Sequence, residues 1–511
     1  MNKKVLLIPL ALLVALLALA MAPLALADEP CDVRDNNTVG KLLECVTVEG
    51  VRAHQSALQA IADANGGIRT SGTPGFDASV DYVAGKLEAA GYNVTIQPFE
   101  FTAFNVLGPS TLEQIAPSAV TYVEDTNYSL MDQTDPGDVT GAVTPVDLSI
   151  ATPSASTSGC DVADFAGFPA GNIALMQRGT CTFQLKAENA AAAGAVGAII
   201  FNQGTPGRLE LFVGTLSAAY TGGIPVVSAS FAQGVEWANT AGLVMHMVAN
   251  VFREIQTTYN VLAETPEGDP NNVVMVGAHL DSVNEGPGIQ DNGSGSAAIL
   301  EVALQMAKVK PRNMVRFAWW GAEESGLVGS NTYVANLSEE ELDKIALYLN
   351  FDMIGSPNFV RFIYDGDGSA FGLVGPPGSA EIEALFESFY DVQGLAHDPT
   401  AFDGRSDYLA FINNGIPAGG LFTGAEGAKT AEQAAIYGGT AGEHYDPCYH
   451  QACDTFDNIS LEVLDQNSDA VAFATLTYAM NTETINGLRG KGNFQPPPGN
   501  SEENRNDKVL K

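Results

Sequence analysis

Four stretches of this 511-residue chain end in side chains that bind cations or move protons. The first is the apolar run from Val273 to Ala278, which ends in His279-Leu280-Asp281 and leads through a loop to Gln290-Asp291-Asn292. The second runs from Met314 to Trp320 and ends in Gly321-Ala322-Glu323-Glu324. The third, Ile345 to Phe351, ends in Asp352, and the fourth is Asp446-Pro447-Cys448-Tyr449-His450-Gln451-Ala452-Cys453-Asp454. Imidazole and carboxylate together are a zinc ligand set, with about four ligands per ion and one position open for water. A carboxylate can bridge two such ions, and a two-metal site makes hydroxide near neutral pH while clamping the attacking and the polarised oxygen. On this reading His279, Asp291 and Asp352 hold one ion, and Asp291, Glu324 and His450 hold the other. Asp281 orients the imidazole of His279 from behind. Glu323 is the spare carboxylate, placed to take a proton from the bridging water and pass it to a leaving amine.

Each piece has a blander reading. A His-x-Asp at a strand end is often structural, a Glu-Glu pair is usually a solvated turn, and Asp352 could cap a helix. Three acidic strand ends in succession, with a His among them, favour the metal. Gly293-Ser294-Gly295-Ser296-Ala297-Ala298 also fits the dinucleotide pattern G-x-G-x-x-A. That pattern follows its strand directly, whereas here a loop bearing Asp291 intervenes, so nucleotide binding is not expected.

Short apolar runs with β-branched residues read as buried strands. In open α/β sheets, sites form beyond the carboxyl ends of the strands, so these ends are expected to converge. Upstream, Val39 to about Asn65 has helical periodicity, and Ile68 to Gly75 is turn-rich. Phe76 to Ala90 reads as an amphipathic helix stopped by Gly91, and Tyr92 to Phe101 alternates as a strand. From about 115 to 251 the texture changes to Thr, Ser, Gly and Pro, with short runs such as Ile173 to Met176 and Ile224 to Val227. One Ala-rich helix, Phe183 to Ala193, lies within it, and its only histidine is His246. This stretch reads as an inserted β-rich accessory domain, dividing the catalytic unit into segments 28–114 and 252–487. The polar tail 488–511, with Pro496-Pro497-Pro498, is expected to be disordered.

The formal net charge is −36, from 60 acidic and 24 basic residues, which argues against nucleic-acid partners and anionic membranes. Residues 1–27 read as a secretory signal: Lys3 and Lys4 precede a Leu/Ala/Val run that ends in Ala25-Leu26-Ala27. The run is long, and an uncleaved anchor is the competing reading. Export makes disulfides plausible, and the six cysteines fall into three local couples, Cys31 with Cys45, Cys160 with Cys181 and Cys448 with Cys453. Metal ligation by cysteine is the alternative, although the chain has no C-x-x-C.

His279-Leu-Asp281, Asp291-Asn-Gly-Ser-Gly295, Gly321-Ala-Glu-Glu324-Ser-Gly-Leu327, Asn350-Phe-Asp352-Met-Ile-Gly355 and Cys448-Tyr-His450 together resemble the secreted di-zinc aminopeptidases of the bacterial leucine aminopeptidase and aminopeptidase Y type. The likeness extends to Gly72-Thr-Pro-Gly75 and Arg405-Ser-Asp407-Tyr-Leu-Ala-Phe411, and no ligand of that family's pattern is missing. It implies the zinc-exopeptidase fold, an α/β architecture with a mixed, mostly parallel central sheet flanked by helices. It implies two zinc ions per chain. By the same resemblance Tyr449 helps polarise the scissile carbonyl, Arg405 contacts product, Phe422 lines an apolar pocket, and Glu323 and Asp352 hold the free α-amine. Asp465 and Asp469 match a calcium site of some members, with helix-surface acids as the alternative, and the Asp291-Asn292 peptide is expected to be cis. Cys160-Asp-Val, Gln177-Arg-Gly-Thr-Cys181-Thr-Phe and the segment Gly194 to Asn202 resemble a protease-associated (PA) domain, whose implied role is substrate access or docking, or that of a purely structural lid.

These readings point to a secreted, monomeric aminopeptidase acting on the N-termini of peptides and proteins, with large apolar residues preferred and no membrane attachment after signal cleavage. A carboxypeptidase on the same fold is the first alternative, but Arg405 is the only arginine between Arg361 and Arg489. A non-catalytic binding or receptor protein is the second, and such relatives lose ligands that this chain keeps.

Overall fold

The structure, a computed structural model, describes residues 30, 31 and 33–486. The expected signal 1–27 and tail 488–511 lie outside the described residues. The chain is mixed α/β, built on two eight-stranded sheets.

The first sheet has the strand order Asn93–Val106, Val251–Glu264, Asn313–Trp320, Asp269–His279, Ile345–Phe351, Ala418–Phe422, Phe362–Tyr364, Asp398–Thr400. Its middle, from Asn313–Trp320 to Ala418–Phe422, is parallel, and both flanks join it antiparallel. Every residue from Asn272 to His279 and from Ile345 to Phe351 is buried. Strands covered on both faces read as continuous apolar runs, which is why these were visible in the sequence. The register sets His279 beside Trp320, Gly277 beside Asn350 and Asn350 beside Gly420. The carboxyl ends are therefore level, and the loops that leave them emerge at one edge of the sheet. At Gly420 the chains approach so closely that a Cβ would sit 1.8 Å from the Asn350 carbonyl oxygen, so only glycine fits.

Helix Gly293–Met306 packs against this sheet and against Val48–Ala64 and Leu461–Met480. It is buried on nearly every side from Gly293 to Ala303. Such a helix shows no amphipathic stripe, because no face of it meets water. The helical pattern from Val39 to Asn65 is in fact two helices, Val39–Leu43 and Val48–Ala64. Thr47 Oγ1 accepts from the Gly50 amide and starts the second as its N-cap. Pro74 opens helix Pro74–Ala90, and Gly91, at φ 93°, closes it in the left-handed region.

The second sheet lies between Thr111 and Ala249, with four parallel strands, Gly137–Pro145, Ile173–Gln177, Gly197–Phe201 and Val226–Ala229, flanked by antiparallel ones. Helix Phe183–Ala192 lies as expected, but a second helix, Phe231–Asn239, escaped the sequence reading. Gly234 stands in its middle because the Phe201 ring occupies the space of a Cβ. A central glycine weakens helical propensity, which hid the element. The two sheets are joined by a long antiparallel ribbon that pairs Asn93 with Glu264 and continues to Val106 with Val251. Cys31–Cys45, Cys160–Cys181 and Cys448–Cys453 are all bonded, and no cysteine is free among the described residues. No helix among the described residues is long and apolar enough to cross a membrane.

Candidate metal centre

His279 is the last residue of its strand, and its two ring nitrogens face different ways. Nδ1 lies 3.2 Å from the Asp281 carbonyl oxygen and 3.6 Å from Asp281 Oδ1. Nε2 faces Asp291 Oδ1 at 3.2 Å and Asp352 Oδ1 at 3.3 Å. From the other side, His450 Nε2 lies 3.3 Å from Asp291 Oδ2 and 3.0 Å from Glu324 Oε2. Asp291 thus turns one oxygen to each imidazole. A carboxyl oxygen of Glu323 comes within 4.8 Å of donor atoms of His279 and Glu324.

The loops are held by polar bonds. The Asp454 carboxylate accepts from the amides of Gln290 (2.8 Å) and Asp291 (3.0 Å). The Asp291–Asn292 peptide is cis. Asn292 caps helix Gly293–Met306 through the Gly295 amide (2.9 Å), and binds the Phe351 carbonyl (2.9 Å) and Met353 amide (3.2 Å). It therefore ties the loop that carries Asp291 to the strand end that carries Asp352. Asp281 accepts from the amides of Glu323 (3.2 Å) and Glu324 (3.4 Å), so it sets two strand ends at once. Ser406 Oγ donates to Asp352 Oδ2 at 2.6 Å. Ala322, Met353 and His450 have φ of 52°, 49° and 55°, a left-handed conformation that costs a non-glycine residue about 1–3 kcal/mol. His450 belongs to the cluster itself, Met353 follows Asp352, and Ala322 precedes Glu323.

The charges of these groups fit a cation site as well. Burial alone would raise the pKa of Asp291, yet the two imidazoles outweigh it and hold the group below the usual carboxylate range. Burial and the neighbouring Asp291 push Glu324 up to about 7, and burial also drives Glu323 well above its ordinary value. Burial would lower an imidazole, but Glu324 and Asp291 raise His450 to about 11. Glu324 Oε1 and Asp352 Oδ1 are buried with no hydrogen-bond partner. Crowded carboxylates with unpaired oxygens, facing two imidazole nitrogens, are the donor set of divalent cations.

A cavity of about 250 Å³ opens over this cluster, and Tyr449, Arg405 and Phe422 line it. The Arg405 guanidinium is engaged, with Nη1 2.7 Å from Glu426 Oε1 and Nη2 3.1 Å from the Tyr449 hydroxyl. Asp465 and Asp469 lie one turn apart on helix Leu461–Met480. They belong to no group of three or more metal-ligating side chains among the described residues.

Residues 260–475 match the model of peptidase family M28, and residues 139–237 match that of the PA domain. An aminopeptidase of Pseudomonas aeruginosa is 57% identical over 445 residues, 87% of this chain and 83% of that protein. The chain belongs to peptidase family M28 and carries a PA domain. Leucine aminopeptidase 2 of Arthroderma otae is 46% identical over 419 residues, 80% of each protein. Among solved structures, an aminopeptidase from Aneurinibacillus sp. strain AM-1 aligns with TM-score 0.65 and 26% identity, covering 90% of this chain and 98% of that one. A zinc aminopeptidase from Bacillus subtilis aligns with TM-score 0.59 and 25% identity over 88% and 98%.

In this M28 peptidase the sequence reading missed the residues that hold the loops. Arg69 is fully buried, and its guanidinium donates to the carbonyls of Leu280, Pro287 (2.8 Å) and Gly288 (2.6 Å). Burial lowers its pKa to about 10 against the pull of Asp281, Asp454, Asp291 and Glu324. An arginine in a turn-rich loop carries no periodic signal, so Arg69, Asp454 and Ser406 could be found only by their contacts. Asp281→Ala is expected to weaken metal binding about 10- to 100-fold while the protein stays folded, since it removes the carboxylate 3.6 Å from His279 Nδ1 and the acceptor of the Glu323 and Glu324 amides, and leaves only the main-chain carbonyl of residue 281 on that ring nitrogen. Metal titration against a competing chelator measures this, and unchanged affinity would refute the role of Asp281.

Proposed function

We propose that this chain is a secreted di-zinc aminopeptidase that removes N-terminal residues, large apolar ones by preference, from peptides and proteins. The observation that carries the reading is the Asp291 carboxylate, with one oxygen toward His279 and the other toward His450. His279, Asp291 and Asp352 would hold one zinc ion and Asp291, Glu324 and His450 the other. Zinc held there would supply a bound water of lowered pKa and a Lewis acid for the scissile carbonyl. The protein's own groups do the rest. Glu323 accepts the proton of the attacking water and delivers it to the leaving amine. Glu323 and Asp352, beside the metals, offer negative charge to the substrate's free ammonium. Tyr449, held by Arg405, directs its hydroxyl toward the carbonyl oxygen that gains charge. Phe362, Tyr364, Phe422, Ala425 and Met353 supply an apolar wall for the N-terminal side chain. Names of the relatives, the three disulfides and the signal-like first residues support the reading of an exported peptidase. In this reading residues 115–251 serve substrate access or docking or form a structural lid, and the protein acts as a monomer.

The carboxypeptidase alternative needs a cation free to bind a C-terminal carboxylate. Arg405 is the one Lys or Arg lining the cavity among the described residues, and Glu426 neutralises it. The deciding experiment offers one hydrophobic peptide in free, N-acetylated and C-amidated forms, with and without a chelator, and reads products by mass. Loss from the amino end, stopped by acetylation and by chelation and restored by zinc, is expected. Cleavage blocked by amidation instead would replace the reading with a carboxypeptidase, and no cleavage with added zinc would favour a binding protein.

A further inference from the structure

Behind the aromatic wall of the cavity lies a second acidic cluster. Strand Phe362–Tyr364 runs directly into Asp365-Gly366-Asp367-Gly368-Ser369. Carboxyl oxygens of Asp365, Asp367 and Glu383, the last from helix Ser379–Gln393, lie within 4.8 Å of one another. Asp365 is 1% exposed and Glu383 8%, while Asp367 faces solvent. Asp365 Oδ2 accepts from the amides of Ala370 (3.1 Å) and Phe371 (2.9 Å), but its buried Oδ1 has no partner. Glu383 Oε2 accepts from the amides of Gly366 (2.9 Å) and Asp367 (3.1 Å), and Asp367 Oδ1 accepts from that of Ser369 (2.7 Å). The loop is shaped by backbone approach: a Cβ on Gly366 would meet the Ser379 carbonyl oxygen at 2.2 Å, and Gly368 has φ 72°. Asp365, Asp367 and Ser369 occupy alternate positions, the one-three-five spacing by which calcium loops turn oxygen ligands to one point.

We propose that Asp365, Asp367 and Glu383 bind a calcium ion, in a site separate from the zinc-type centre. All the donors are oxygens, which selects a hard cation, and an irregular mix of loop and helix ligands suits calcium better than the strict octahedron of magnesium. A site with one exposed ligand belongs to the weak, extracellular class, with Kd on the order of 10⁻⁴–10⁻³ M. The ion supplies the partner that Asp365 Oδ1 lacks and pins the loop to helix Ser379–Gln393. It also fixes one wall of the substrate cavity. The Asp365 amide donates to the Thr400 carbonyl at 2.8 Å, and Tyr364 stacks on Phe402 at 5.2 Å between centroids. Tyr364 and Thr400 both line the cavity. The competing account is a proton shared between Glu383 and Asp365, with no metal.

The test uses the zinc-loaded mature protein. Thermal unfolding is followed against added calcium, and terbium luminescence, sensitised through neighbouring Tyr364, reports occupancy directly. Wild type is expected to gain thermal stability with calcium, and calcium is expected to quench the terbium signal. Asp367→Asn and Glu383→Gln are expected to weaken both responses at least about tenfold, with zinc content unchanged. Glu383→Gln keeps the oxygen that receives the two amides, so it guards against a folding failure in the other variant. Absence of any calcium response in wild type overturns the proposal and leaves the shared proton. Responses of undiminished strength in the variants overturn it too, and place the ion on another acidic surface such as Asp465 and Asp469.

Discussion

Replacing Glu323 with alanine is expected to lower kcat about 10³-fold, with zinc content unchanged and KM little altered. Glu323 is 8% exposed and lines the cavity. It stands outside both trios that share Asp291, so its loss leaves His279, Asp291 and Asp352, and Asp291, Glu324 and His450, intact. Its main-chain amide is anchored on Asp281, which fixes where the carboxylate can reach. A positioned proton carrier contributes about 10²–10⁴-fold, and the expected drop lies inside that range. Steady-state rates on a chromogenic leucine anilide, with zinc measured in the same samples, decide it. A variant that loses zinc would make Glu323 a ligand. One that keeps its turnover would move the proton transfer to another group.

Asp291→Ala is expected to empty both metal positions together and take activity below detection. Each imidazole meets a different Asp291 oxygen, so one substitution strips a donor from both sides. What remains is His279 with Asp352 and Glu324 with His450, two donors for each ion where about four are wanted. Changing a residue that merely orients a ligand costs about 10–100-fold in affinity, so losing the bridging ligand costs more than that at both positions. Asp352→Ala is the matched control, because it touches only the His279 half. If Asp291→Ala retained one full equivalent of tightly bound zinc, the bridge would be wrong.

Legibility in the sequence followed burial. The stretches Val273–Ala278, Phe317–Trp320 and Ile345–Leu349 are buried throughout, so their composition is apolar and the ligand-type side chains that follow them stand out. The parallel strand Ala418–Phe422 escaped notice because close packing on Asn350 and on Ile382 demanded glycines at 419 and 420. The couples of cysteines were near in sequence, so their pairing was readable. The supports of the centre were not. Arg69 and Asp454 act on main-chain atoms more than 160 residues away, and no spacing rule encodes such a contact. Asn292 is different: as an N-cap beside a buried helix it had a local signature, but its grip on Phe351 and Met353 did not. The break between helices Val39–Leu43 and Val48–Ala64 turned on one threonine hydroxyl, too small a feature to interrupt an apolar period.

The ribbon between the two sheets has an evolutionary reading. Val106 and Val251 face each other on its last rung, and the Leu107 amide still reaches the Asn250 carbonyl at 2.9 Å. Everything between them leaves and re-enters the peptidase sheet at neighbouring points, so topologically the accessory unit is one oversized hairpin loop. Closing a longer loop costs only about 0.6 kcal/mol for each doubling of its length. A single recombination event at this hairpin can therefore add, remove or exchange the whole unit without rewiring a strand. Relatives that lack the unit are expected to keep this sheet order unchanged.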